Sequence, residues 1–268
     1  MTQDQRVALI SGASGGIGAE LAKVCAAKGH ALALVARDGD KMAALAREIG
    51  ASGGMSPLVV PLDLTSPGAA DALAAALARA GATPEILINN AGYGLLGSAR
   101  DLDREGQLGI IDLNIRALSE LTLRFLPDIT ANRGRILNVA SVAAFLPGPG
   151  MAIYYASKAY VLSFSQALAE ELKGAGVSVT ALCPGPVKTG FGARAGTTKD
   201  MAGGALLVDV AEVARVGYRA MMAGKRVAIP GRLNQAITTL LPFVPAALKL
   251  PALARIQMRR RAPGPPRA

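Results

Sequence analysis

Tyr154 and Lys158 stand four positions apart in a stretch with helical periodicity, so both side chains leave the same helix face. An ammonium beside a phenol favours the phenolate, which predicts a lowered tyrosine pKa and a proton donor usable near neutral pH. Alone, the pair could equally be a lysine stem lying on an exposed ring, so its meaning depends on its neighbours. Tyr155 and Tyr160 are the local competitors. Tyr155 falls three positions from Lys158 and reads as packing.

A second chemical signal lies near the start. The run Ser11-Gly12-Ala13-Ser14-Gly15-Gly16-Ile17-Gly18 joins a strand-like segment (6–11) to a helix-like one (16–29). Small residues let backbone approach a diphosphate, and the helix start aims unpaired N–H groups at it. Gly12, Ser14, Gly16, Ile17 and Gly18 are therefore candidate phosphate contacts.

These segments belong to an alternation of apolar runs and Ala-rich helical stretches. Runs at 6–11, 31–36, 57–62, 85–90, 135–141, 177–183 and 226–230 read as strands. Helices are expected at 16–29, 40–50, 67–80, 104–126 (ended by Pro127), 153–174 and 209–223. The runs are continuously apolar, as in strands covered on both faces. The expected fold is an α/β, Rossmann-like, doubly wound parallel sheet of about seven strands with helices on both faces, one domain over 1–231. Residues 190–207 resemble a mobile flap over the pocket, and 232–268 a basic tail interrupted by Pro242, Pro245 and Pro251.

Composition narrows the function. With 268 residues, 51% hydrophobic and 18% charged, the chain is no disordered segment. Cys25 and Cys183 are too few for a disulfide framework and read as buried, and His30 reads as structural. One histidine without a CxxC motif argues against a protein-built metal site. The start MTQDQRVALI lacks signal-peptide character, and a cytoplasmic location is expected. Residues 211–268 hold eleven Lys or Arg against Glu212 alone, which accounts for the whole net charge of +10. Such a tail suits an anionic membrane or an acidic carrier, and is otherwise a solvated surface. With 4% aromatic residues and no Trp, base-stacking platforms are scarce, and a nucleic-acid partner is not expected.

The glycine spacing, Asn89-Asn90-Ala91-Gly92 after the fourth strand, Ser141 ending the fifth, Tyr154-x-x-x-Lys158 and Pro184-Gly185 after the sixth occur in order. On these motifs, residues 5–230 resemble the classical short-chain dehydrogenase/reductase family. The resemblance implies hydride exchange between a nicotinamide dinucleotide and a carbonyl or secondary alcohol. It implies that Tyr154 supplies the proton, that Lys158 tunes it and grips the nicotinamide ribose, and that Ser141 orients the carbonyl. Asn114 matches the member that relays protons through water. Asp63 and Leu64 match adenine contacts, and Asn90, Ala91 and Gly92 a further part of the cofactor site. Pro184, Gly185, Val187 and Thr189 line the nicotinamide, the last two by its carboxamide. A homodimer or homotetramer through the two long helices is implied as well.

At the end of the second strand a carboxylate selects a free ribose hydroxyl, and a basic group a 2′-phosphate. Here the sequence reads Ala36-Arg37-Asp38, and Asp38 has the position of a helix cap. Arg37 therefore favours NADP(H) over NAD(H). The segments expected around the substrate, 93–96, 145–147, Met151 and the flap, are mainly apolar and predict a lipophilic ketone, aldehyde, ketoacyl or steroid-like substrate. The competing reading is a catalytically silent NADP-binding scaffold.

Overall fold

The computed structural model describes residues 5–196 and 206–259. Seven strands form one all-parallel sheet: β1 Gln5–Ser11, β2 Ala31–Ala36, β3 Leu58–Pro61, β4 Ala82–Asn89, β5 Arg135–Val139, β6 Ser178–Leu182 and β7 Val227–Ala228. Their order is β3-β2-β1-β4-β5-β6-β7, as the alternating pattern predicts. The edge strands β3 and β7 are shorter than expected; β3 follows Pro57 and ends at Pro61, and prolines lack a ladder donor.

The strands read as unbroken apolar runs because both faces are covered. Ala8 and Ile10 of β1 pack with Leu21, Met42 and Val213, which lie on α1 (Gly16–Ala27), α2 (Gly39–Ala51) and α8 (Val210–Met222). Val7 and Leu9 point the other way, toward Leu73, Phe125 and Leu168 on α3 (Ala69–Arg79), α5 (Leu118–Ala131) and α6 (Ala152–Glu171). Each fully buried aliphatic side chain contributes about 1.5–3 kcal/mol. Polar side chains pin the second layer: Asn89 Nδ2 donates to Thr122 Oγ1 and Asn138 Oδ1, both at 2.9 Å, and Asn138 Nδ2 donates to Ser165 Oγ at 2.9 Å.

The stretch expected as one helix over 104–126 is three pieces. Helix α4 (Arg104–Ile111) passes into a π-helical stretch, Asp112–Ala117, and then into α5. Pro127 does not end it; α5 continues to Ala131. The carbonyl that loses its donor belongs to Leu123, whose side chain is exposed on the solvent side, where water can replace the missing bond.

Phe191–Arg194 forms the short helix α7, and an isolated parallel bridge pairs Val187 with Val208. The centre of the expected flap, 197–205, lies outside the described residues. The C-terminal stretch is helical rather than extended: α9 (Arg232–Leu240), a 3-10 turn (Leu241–Phe243) and α10 (Ala246–Arg259).

Candidate active site

The chain reverses its winding between β1 and β4, neighbours in the sheet, which opens a crevice at their carboxyl ends. The glycine loop occupies that point. Gly12 and Gly16 adopt positive φ, at 66° and 57°. A Cβ on Gly12 would meet Ala91 Cα at 2.8 Å, and one on Gly18 would meet Gly12 O at 2.4 Å, so loop, helix and the Asn90-Ala91 turn touch backbone to backbone. Asn90 Nδ2 donates to the carbonyls of Ser11 and Gly12, and Ser11 Oγ accepts from the N–H groups of Asn90 and Ala91. Beside Gly15 the space is open, and α1 starts without a side-chain cap or an acid in its first turn. An uncapped helix start facing open space fits a diphosphate.

At the end of β2, Asp38 caps α2: its carboxylate accepts from Lys41 N at 3.0 Å and pairs with Lys41 Nζ at 2.6 Å. The Lys41 contacts hold its pKa below the usual carboxylate range. Arg37 is exposed and forms no salt bridge among the described residues; its charge reaches Asp63. Asp63 accepts from Thr65 N and Oγ1, which lower its pKa, so it shapes the turn after β3, and Leu64 is buried behind it.

Ser141 begins the turn after β5, its Oγ accepting from Ala143 N at 3.1 Å. Its own proton has two acceptors within reach, the Pro184 carbonyl at 3.4 Å and the Tyr154 phenol. Lys158 is buried, and its Nζ donates to Val139 O at 2.8 Å and lies 5.9 Å from the Tyr154 ring centre. The spacing therefore delivers Ser141, Tyr154 and Lys158 to one place. It does not deliver the expected acidification. Burial pushes the phenol up to about 12, against a lowering contribution from Ser141, and burial brings Lys158 down to about 8. Enclosure destabilises the phenolate, and the Lys158 ammonium is engaged with the Val139 carbonyl.

Asn114 sits in the π-helical stretch, buried, with Oδ1 accepting from Tyr93 N and Nδ2 donating to Tyr93 O and Ser157 Oγ. It thus ties the loop after β4 to the catalytic helix, with Gly92 packed between it and Lys158. Pro184 and Gly185 follow β6, Val187 forms the bridge to Val208, and Thr189 rests on Gly16 across the crevice. Cys183 is buried with its thiol pushed up to about 12 by burial, which makes it inert, and the same holds for Cys25. His30 bonds Tyr218 Oη at 2.9 Å, far from the site, as a structural residue.

Leu95, Leu102, Ile110, Met151 and Ile153 line a small cleft together with Gln107 and Tyr154. Several contributors carry no motif. Gly94 lets the Tyr154 ring approach, since a Cβ would lie 2.8 Å from it. Phe191 packs on the same ring, with centres 5.4 Å apart. Buried Asn234 of α9 backs Gly185, and Gln257 of α10 donates to Tyr155 Oη at 2.7 Å. Tyr155 is thus more than packing: it connects the catalytic helix to the end of the chain. Gly94 and Phe191 fall in segments expected around the substrate, 93–96 and the flap, whereas Asn234 and Gln257 carried no such signal.

Comparison with known proteins agrees with this arrangement. Residues 6–200 match the short chain dehydrogenase family model. A sulfoacetaldehyde reductase from Chromohalobacter salexigens is 37% identical over 185 residues, 68% of this chain and 72% of the relative. A short-chain dehydrogenase from Sphingobium yanoikuyae, solved with NADPH, superposes with a TM-score of 0.78 at 34% identity, covering 91% of this chain and 97% of its own. A 3-ketoacyl-(acyl-carrier-protein) reductase from Brucella melitensis, solved with NADH, gives 0.75 at 30% identity, with 85% and 98% covered. The protein is therefore a member of the short-chain dehydrogenase family, oxidoreductases that use nicotinamide dinucleotides on alcohol and carbonyl groups.

Proposed function

We propose that this enzyme is an NADPH-dependent reductase of lipophilic carbonyl compounds: ketones, aldehydes, ketoacyl or steroid-like molecules. The convergence of Ser141, Tyr154 and Lys158 beside an uncapped helix start carries the reading. Bound at the crevice, the nicotinamide supplies the hydride. Ser141 orients the carbonyl oxygen, and Tyr154 donates a proton to it as negative charge develops there. Lys158 holds the nicotinamide ribose and its charge favours departure of that proton; Asn114 connects the site to water. A phenol held at about 12 is protonated at neutral pH, the form a donor needs.

In the same reading Gly12, Ser14, Gly16, Ile17 and Gly18 receive the diphosphate, and Asp63 and Leu64 the adenine. Asn90, Ala91 and Gly92 with Pro184, Gly185, Val187 and Thr189 complete the cofactor site. The preference for NADPH rests on Asp38 being engaged with Lys41 while the Arg37 guanidinium stands exposed at the end of β2. Relatives solved with NADPH and with NADH make this a point for measurement. The side chains of Leu95, Leu102, Ile110, Met151 and Ile153 beside Tyr154 support a lipophilic substrate. Exposed Leu108, Ile111, Leu123 and Tyr160 on α4, α5 and α6 support pairing of copies through these helices. Among the described residues no helix is long and apolar enough to cross a membrane, and a cytoplasmic enzyme, with peripheral contacts through its basic end, remains our reading.

The test is NADPH consumption across a panel of apolar carbonyl compounds by wild type and Tyr154→Phe. Loss of turnover with retained NADPH binding is expected. Turnover that survives in the variant, or its absence throughout the panel in wild type, overturns the assignment.

A further inference from the structure

We propose that α9, the following 3-10 turn and α10 form a docking face for an anionic lipid bilayer. Helix α9 is inside out. Its polar Asn234 and Thr238 are buried, while Leu233 and Leu240 face water. The exposed apolar series continues along the chain: Leu240 is 66% exposed, Phe243 84% and Leu248 68%, and Ile256 follows. Five of the ten exposed large hydrophobic residues among those described fall in this segment, so the exposure is concentrated rather than scattered.

Hydrogen bonds fasten the segment to the body. Asn234 Nδ2 donates to the carbonyls of Leu206 and Pro230 and Gln257 Nε2 to Tyr155 Oη, while within the segment Lys249 Nζ donates to the carbonyls of Leu241 and Pro242. Polar groups thus point inward and hold the position, which leaves the apolar side chains preformed on the outside.

Charge selects the occupant. From Arg232 to the end the chain carries seven Lys or Arg and no Asp or Glu. A second copy docked symmetrically on this face would oppose Arg232, Lys249 and Arg255 with the same three charges. An acidic protein would meet the charges without offering a hydrocarbon phase to Phe243 and Leu248. An anionic bilayer offers both, headgroups for the guanidinium groups and an acyl boundary for the apolar residues. The prolines and short helices confine the segment to the interface. A lipid surface here would also bring lipophilic substrates to the pocket; that consequence rests on the reductase reading, whereas the docking does not.

The experiment is co-sedimentation of the full-length protein with phosphatidylcholine vesicles, with and without phosphatidylserine. Binding to the anionic vesicles is expected to exceed that to neutral ones at least about tenfold, at about fivefold per basic residue at the surface. Phe243→Asp with Leu248→Asp should lower the partition coefficient at least about tenfold at unchanged turnover and melting temperature. Arg232→Gln with Arg255→Gln, both on exposed side chains, should lower it about 25-fold, and this pair keeps the test decisive if the aspartates disturb folding. Equal sedimentation with both vesicles, none with either, or wild-type binding by the charge variant overturns the proposal. So does a fall in oligomeric mass caused by the aspartates without vesicle binding by wild type, which makes the face a contact between copies. Each outcome is independent of turnover, so failure here leaves the catalytic assignment standing, and the reverse holds too.

Discussion

The carboxyl rim of the sheet and the C-terminal helices both bury polar side chains, for opposite reasons. At the rim, Ser141, Lys158 and Asn114 are enclosed together at the candidate site, between the apolar layers of the body. In α9 the enclosed Asn234 and Thr238 are themselves the attachment, and the leucines have been turned outward. Burial of a polar group therefore accompanies the candidate site in one region and anchorage in the other. The Asn234 amide nitrogen donates to two backbone carbonyls, whereas the Ser141 hydroxyl lies between the Pro184 carbonyl and the Tyr154 phenol.

The sharpest break in this comparison comes from the rim. Tyr154→Phe should lower kcat about 10²–10⁴-fold, read by loss of NADPH absorbance, with the melting temperature nearly unchanged. Next is the pH profile. The ammonium form of Lys158 is present below its depressed pKa and lost as pH rises through about 8, while Tyr154, at about 12, remains protonated. The kcat/KM for the dinucleotide, which reports free-enzyme groups, should fall about tenfold per pH unit above that point. A limb only near 10 or higher would show that Lys158 keeps an ordinary pKa. Smaller again, Arg37→Ala should weaken NADPH about 10- to 100-fold by titration, with little effect on NADH. Equal losses for both cofactors would remove the phosphate role from Arg37.

In the C-terminal helices the ranking of polar and apolar residues should invert. Asn234→Ala leaves two carbonyls without their donor and should cost about 1–3 kcal/mol in denaturant unfolding. Leu240→Ser, at an exposed position, should change stability by less than about 0.5 kcal/mol. A larger loss for the leucine than for the asparagine would return α9 to ordinary amphipathic packing.

The sheet was legible in the sequence because two-sided burial writes itself as unbroken apolar runs such as ALALVA and EILINN. The rim was legible because glycine spacing and the Tyr154–Lys158 interval are local. What escaped was of two kinds. Distant partners left no trace: Gln257 and Tyr155 are 102 positions apart, and Tyr155 fills an unspecified position between Tyr154 and Lys158. Electrostatic balance was misread too, because the spacing that pairs Tyr154 with Lys158 is silent on how deeply each is enclosed. The continuation of α5 through Pro127 depended on which side of the helix met water, and the inverted face of α9 cannot be inferred from composition alone.

The wide turn at Asp112–Ala117 has a further consequence for how this rod tolerates change. A π turn holds one residue more than an α turn would, so it works as a phase shifter between α4 and α5. Deleting one residue there would leave both helices able to form yet rotate one against the other by about 100°. Ile110 and Phe125, now both in the interior, could not then both face it. For this segment the number of residues is a stricter requirement than their identity.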